Sequence, residues 1–151
     1  RRQILHELHQ VLHHDDAHRA ATGSRPHAAE LAFGIEGRPA VQFPLPDGRT
    51  VPLRGKADRV DVATDGTIHV VDYKTGNPTY FPKLSAEDPH HGGTHLQLPI
   101  YAEAARAAIG RPDAPVRADF WFVSTKGRYE RIGYHVTPEV LAETARAMGT
   151  M

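Results

Sequence analysis

The 151 residues are enough for one domain with a core of its own, and the absence of cysteine excludes disulfides, thiolate zinc sites and cysteine-held clusters from this stretch. Lysine plus arginine number 18 against 18 aspartates plus glutamates, so there is no bulk positive charge to grip nucleic acid and any such binding falls to a local site. No apolar run nears the ~18 residues of a membrane span and no signal-peptide pattern opens the chain, so a soluble cytoplasmic domain is expected.

Arg1 begins inside a helical pattern and Met151 ends just after another. The expectation is one domain over residues 1–151, cut from a longer chain. Residues 1–20 read as a helix, with Ile4, Leu5, Leu8, Val11 and Leu12 on one face. ATGSRPH (21–27) reads as a loop, AELAFGI (29–35) and AVQFPL (40–45) as short strands, and TVPLRGKADRVDV (50–62) as one longer strand closed by the turn signal ATDGT. TIHVVDYKT (67–75) is the clearest strand. Residues 76–93 hold three prolines and three glycines, and no regular structure is expected there. A loop of that length in a compact domain is functional or mobile. THLQLPIYAEAARAAIG (94–110) reads as a helix stopped by Gly110, with Pro99 confined to its first turn. VRADFWFVS (116–124) and YERIGYHV (129–136) form a hairpin, and a last helix over 137–149 starts at Thr137 as N-cap with Pro138 behind it. The order is helix, four strands, helix, two strands, helix: an α/β mixed sheet flanked by helices.

VVDYKTG (70–76) carries the chemistry. Side chains two apart on a strand share a face, ~6.7 Å apart. Asp72 and Lys74 therefore point the same way as Ile68 and Val70, which sets two charges at the rim of an apolar face. The preceding strand offers Asp58 and Asp61. A two-residue Asp65-Gly66 turn places Asp61 on the face of Asp72, whereas a three-residue Thr64-Asp65-Gly66 loop places Asp58 directly opposite Asp72. Both loops are common, and geometry alone leaves the choice open. Two carboxylates ~4 Å apart repel by roughly 4 kcal/mol at an effective dielectric of 20, so such a pair calls for a proton, a base or a cation between the oxygens. Hard oxygen ligands at a wet rim suit Mg2+ or Mn2+, and with a lysine beside them the site reads as metal-assisted phosphodiester hydrolysis.

GKADRVD (55–61), VVDYKTG (70–76) and QLPIYA (97–102), in that order, resemble the RecB/AddB-type branch of the PD-(D/E)XK nuclease superfamily. ELAFG and FWFVS extend the likeness over most of the chain. The resemblance implies a restriction-endonuclease-like core and a metal-dependent DNA nuclease, the exonuclease part of a bacterial DNA-repair helicase–nuclease with a helicase domain or subunit as partner. It implies that Asp58 and Asp72 hold the metal together with the main-chain carbonyl of Tyr73. Lys74 is then the residue that positions the attacking water, and Gln97 and Tyr101 are the helix motif that completes the pocket. Asp58 as ligand goes with the three-residue loop. Gln97 and Tyr101 share a helical face that Ala104 and Ala108 continue, and small residues there bring the helix close to the sheet. Two features depart from the branch. The histidine expected in a G-x-x-x-H context upstream is not matched by His6, and the cysteines that hold an iron–sulfur cluster in many AddB-like members are absent, so no such cluster is possible here.

The rival from another class is a catalytically incomplete nuclease-fold module that binds DNA or braces a larger repair complex. Other signals are weaker. HHDD (13–16) reads as the solvated end of a helix, and HHGGTH (90–95), which offers His90, His91 and His95 to zinc, lacks a fourth ligand and reads as a flank of the substrate path. Arg54, Lys56 and Arg59 suit surface pairing as well as phosphate, and Trp121 reads as core.

Overall fold

The computed structural model describes all 151 residues. In chain order the elements are α1 (Arg2–Thr22), β1 (Arg25–Phe33), β2 (Val41–Pro44), β3 (Thr50–Leu53), β4 (Gly55–Val62), β5 (Ile68–Lys74), α2 (Gln97–Ile109), β6 (Val116–Phe122), β7 (Arg131–His135) and α3 (Pro138–Gly149). Five strands form one sheet in the order β1-β4-β5-β6-β7, and β2 and β3 form a separate hairpin. Every neighbouring pair in the large sheet is antiparallel except β5 with β6. That parallel pair is the one whose connection carries α2, because parallel neighbours need a long crossover.

The stretch 50–62 is two strands, not one. Pro52 has no amide proton to give a central ladder, so Thr50–Leu53 pairs only with β2. The large sheet resumes at Gly55, which pairs with Phe33. A side chain at Gly55 would meet the rings of Phe33 and Tyr101 at 3.0 and 3.5 Å. The helix signals hold: Gly110 ends α2 in the left-handed conformation, and Thr137 caps α3 by accepting from the Val140 amide. Pro99 sits in the first turn of α2, where its missing N–H costs nothing.

The turn between β4 and β5 settles the register. The Ala63 amide donates to the Thr67 carbonyl at 2.8 Å and the Gly66 amide to the Ala63 carbonyl at 3.0 Å. Gly66 has φ 88°, which only glycine adopts freely. This is the three-residue loop. It pairs Arg59 with Val71 and Val60 with Val70, and so brings Asp58 opposite Asp72. Asp61 pairs with His69 and points to the other side of the sheet.

The two sides of the sheet differ in kind. One is apolar: Val60, Ile68, Val70, Val116, Ala118, Phe120 and Ile132 are buried against Leu98, Ala102 and Ala105 of α2. The other carries Arg59, Asp61, His69, Arg117, Asp119 and Arg131 beneath α1. The only buried residue of α1 is Asp15, while Ile4, Leu5, Leu8 and Leu12 are exposed. HHDD lies within α1 rather than at its end, and His13, His14 and Asp16 are exposed, but Asp15 meets Arg59 at 2.7 Å, both side chains being 13% exposed. His18 lies edge-on to His69 at 5.2 Å, His14 stacks on Tyr129 at 4.9 Å, and Glu7 accepts from the Thr125 amide.

Burial holds both His18 and His69 below the ordinary value of 6.5; the charge of Arg131 adds to this at His18, and Asp119 and Asp61 oppose it at His69. A histidine kept neutral by folding takes up its proton more readily in the unfolded chain, so stability is lost as the pH falls below 6.5. The melting temperature is expected to drop between pH 7 and pH 5.5. His18→Gln with His69→Gln flattens that slope; an unchanged slope in the double variant removes the assignment.

Residues 76–93 are not wholly irregular. Pro78–Tyr80 form one 3-10 turn, capped by the Asn77 side chain, which accepts from the Thr79 amide at 2.9 Å. Leu84 joins the core, and the Tyr134 hydroxyl donates to the Pro89 carbonyl at 2.7 Å.

Candidate active site

The apolar side of β5 runs Ile68, Val70, Asp72, Lys74, and Asp72 is 6% exposed. Asp58 faces it from β4, just past the last paired residues of the β4–β5 ladder. With no strand partner beyond that point, the Tyr73 amide donates instead to Asp58 Oδ2 at 2.7 Å. N–H and C=O of one strand residue point to the same edge, so the Tyr73 carbonyl is directed to the side of β5 that carries Asp58. Three oxygen-bearing groups, Asp58, Asp72 and the Tyr73 carbonyl, thus gather where the two strands diverge.

Lys74 Nζ stands 2.7 Å from Asp72 Oδ2. The ammonium pairs with this buried oxygen. The same ammonium lies 4.9 Å from the centroid of Phe120, the residue that pairs with Asp72 across β5 and β6. An apolar ring beneath the ammonium limits its hydration and fixes its height over the sheet.

On α2, Gln97 and Tyr101 are one turn apart and face each other, with Gln97 Nε2 3.5 Å from the Tyr101 hydroxyl, a weak contact that leaves both groups free for another partner. The Tyr101 ring is buried edge-on against Phe33, 5.9 Å between centroids. Ala104 is buried as the sequence pattern implies, but Ala108 is exposed, and Leu98, Ala102 and Ala105 make the close contact instead.

The electrostatics tie the helix pair to the acids. Burial pushes the Asp72 carboxyl above its usual range; Lys74 opposes this, and the charge of Asp58 adds to it. Burial likewise raises the Tyr101 phenol, and the charges of Asp72 and Asp58 raise it further against the hydrogen bond from Gln97. Asp58, Asp72 and Lys74 therefore act on one another, and the two carboxylates reach Tyr101, which contacts Gln97. A buried carboxylate facing a second carboxylate is the environment a hard divalent cation relieves. No group of three or more His, Asp and Glu side chains converges anywhere, so a cation here relies on two carboxylates and the main-chain carbonyl.

The remaining candidates lie elsewhere. Arg59 is not a surface residue: its guanidinium is buried on the opposite side of the sheet between Asp15 and Asp61. Lys56 pairs with Glu36 at 2.8 Å in water, and Trp121 is core, its indole donating to the Tyr129 carbonyl. The three loop histidines do not meet at one point, although the rings of His91 and His95 are 6.4 Å apart. His90 is buried, accepts from the Gly93 amide and approaches Glu143, His91 lies by Asp88, and His95 packs on Phe81. What sequence reasoning missed at the site is Phe120 under Lys74. The alternation in ADFWF was a signal for it, but only the parallel register shows which aromatic reaches the lysine.

A family model described as the PD-(D/E)XK nuclease superfamily matches residues 1–148. The chain is 43% identical over 115 residues to a protein of Desulforudis audaxviator named as the B subunit of an ATP-dependent helicase/deoxyribonuclease, a match that covers 70% of this chain and 9% of that protein. Proteins of the same name from Geobacillus kaustophilus and Moorella thermoacetica are 31% identical over 123 residues and 35% over 109, covering 76% and 70% of this chain and 10% and 9% of theirs. The chain thus spans about a tenth of the length of these relatives. With a matching model over nearly its whole length and both strand motifs meeting at one edge of the sheet, this chain belongs to the PD-(D/E)XK nuclease superfamily.

Proposed function

We propose that the chain is the nuclease domain of a bacterial DNA-repair helicase–nuclease, acts in the cytoplasm, and hydrolyses DNA phosphodiester bonds with Mg2+ or Mn2+. The observation that carries this reading is the buried Asp72 carboxylate, set opposite Asp58 and 2.7 Å from the Lys74 ammonium. Asp58, Asp72 and the Tyr73 carbonyl hold the cation. Bound there, it supplies Lewis-acid stabilisation of the charge that develops on the phosphate. Lys74, held by Asp72 and by the face of Phe120, orients a water for in-line attack on phosphorus. The Gln97 amide and the Tyr101 hydroxyl grip a non-bridging phosphate oxygen. Tyr101 keeps its proton, since its phenol is shifted upward, and so serves as a donor.

The test is release of acid-soluble nucleotides from linear DNA. Cleavage is expected with Mg2+ or Mn2+, none with EDTA, and none in Asp72→Ala. If the wild type and Asp72→Ala bind DNA equally and neither cuts it, the chain is a DNA-binding module and not an enzyme.

A further inference from the structure

Tyr80 is 91% exposed, although the loop that carries it is fastened on both sides. Pro78 and Leu84 are buried, and Phe81, next to Tyr80, packs edge-on against Phe120 at 5.1 Å and Phe122 at 5.4 Å. Phe120 is the ring that lies under the Lys74 ammonium. His95, just ahead of the Gln97 turn, covers the other side of Phe81 at 4.9 Å. Phe81 is thus wedged between the lysine's ring and the start of α2, and Tyr80, ~3.8 Å before it along the backbone, is carried on the segment that leaves β5 just after Lys74.

The spacing of anchors decides what the loop shows to solvent. Pro78, Phe81 and Leu84 turn inward every third residue, while Thr79, Tyr80 and Lys83 turn outward. The outward set pairs an aromatic face with an ammonium, the combination by which proteins hold single strands: stacking on the base, charge on the backbone. Tyr80 makes no aromatic or hydrogen-bonded contact within the chain, and the turn beneath it is fixed by Pro78 and the Asn77 cap, so little ordering is lost when a base lands on it.

We infer that Tyr80 is a base-stacking platform that holds an unpaired nucleobase next to the phosphate being cleaved, with Lys83 on the adjoining backbone. The inference rests on the nuclease reading above, and it assigns a residue to the hold on the strand being cut.

Tyr80 is a surface residue, so its substitution leaves folding intact. Tyr80→Ala is expected to raise KM for single-stranded DNA, and Kd measured in EDTA with fluorescein-labelled oligonucleotides, by roughly tenfold. The change in kcat stays within about twofold. Tyr80→Phe and Tyr80→Trp bind like the wild type, and the emission of the indole introduced by Tyr80→Trp is quenched by normal oligonucleotides but not by abasic ones. On abasic oligonucleotides the wild type and Tyr80→Ala bind equally. Equal binding of Tyr80→Ala and wild type to normal single strands, with cleavage intact, overturns the stacking role and leaves the nuclease reading standing. A tenfold defect that persists on abasic DNA also overturns it. A wild type that neither binds nor cuts DNA removes both.

Discussion

Asp72→Asn is expected to abolish cleavage and, in EDTA, to make the protein more stable than the wild type. The two effects have one cause. The Asp72 carboxylate is buried, faces Asp58, and is held above its usual protonation range despite Lys74 beside it. Its surroundings disfavour the charge it carries at neutral pH, and an amide of the same shape removes the charge without opening a cavity. At this chain length, about 1 kcal/mol appears as a rise of about 2–4 °C in Tm. Magnesium reverses the order. A cation that binds only the folded wild type adds about 1.4 kcal/mol at ten times its dissociation constant, and Asp72→Asn, with one ligand gone, gains little of this. Loss of several kcal/mol of transition-state stabilisation corresponds to about a thousandfold in rate or more. Thermal melts with EDTA and with about 10 mM Mg2+, run beside the nucleotide-release assay, check all three statements. A variant that is less stable in EDTA and keeps the wild-type magnesium shift would show that Asp72 is an ordinary rim residue.

Lys74 belongs to the same balance. It lowers the cost of the Asp72 charge but does not cancel it, because burial outweighs the hydrogen bond and the opposite charge that Lys74 supplies.

Periodicity and caps made the helices and β5 legible: Gly110, Thr137 and the alternation of Ile68, Val70, Asp72 and Lys74 each act through local backbone physics. The choice between Asp58 and Asp61 was not legible from geometry, because two loop lengths of equal plausibility turn opposite sides of β4 toward Asp72. It is fixed by Gly66 and the Ala63–Thr67 pairing. The break at residue 54 had a visible signal in Pro52 that strand propensity on either side outweighed. The apolar stripe Ile4, Leu5, Leu8 and Leu12 was legible as a stripe, but not its direction: a helix whose apolar face meets solvent and whose charged face meets the sheet inverts the usual pattern. Arg59 and Asp61 alternate with Asp58 and Val60, so the residues that build the pocket and those that hold α1 share one strand and face opposite ways.

That second side yields the largest stability effect. Arg59 donates Nε and Nη2 to Asp61, with Nη2 to Oδ2 at 2.5 Å, and its Nη1 meets Asp15 at 2.7 Å. Burial opposes its charge, but the side chains of Asp61, Tyr73 and Asp15 around it keep it protonated at any working pH. Arg59→Ala strands the buried Asp61 carboxylate and leaves Asp15 with Arg19 alone, 2.7 Å away, and removal of one member of such a group costs about 3–5 kcal/mol, a large share of the ~5–15 kcal/mol that holds a domain together. The loss is expected to fall first on α1, which has no other buried residue, and hydrogen exchange of residues 2–22 reads it directly. Replacing the whole group separates the two explanations. Asp15→Leu, Arg59→Met and Asp61→Val together remove every buried charge of the triad while keeping its volume, and the triple variant is expected to recover to within about 1–2 kcal/mol of the wild type. If it remains as unstable as Arg59→Ala, the ion pairs themselves hold α1 to the sheet, and the penalty of stranded charge is the lesser part.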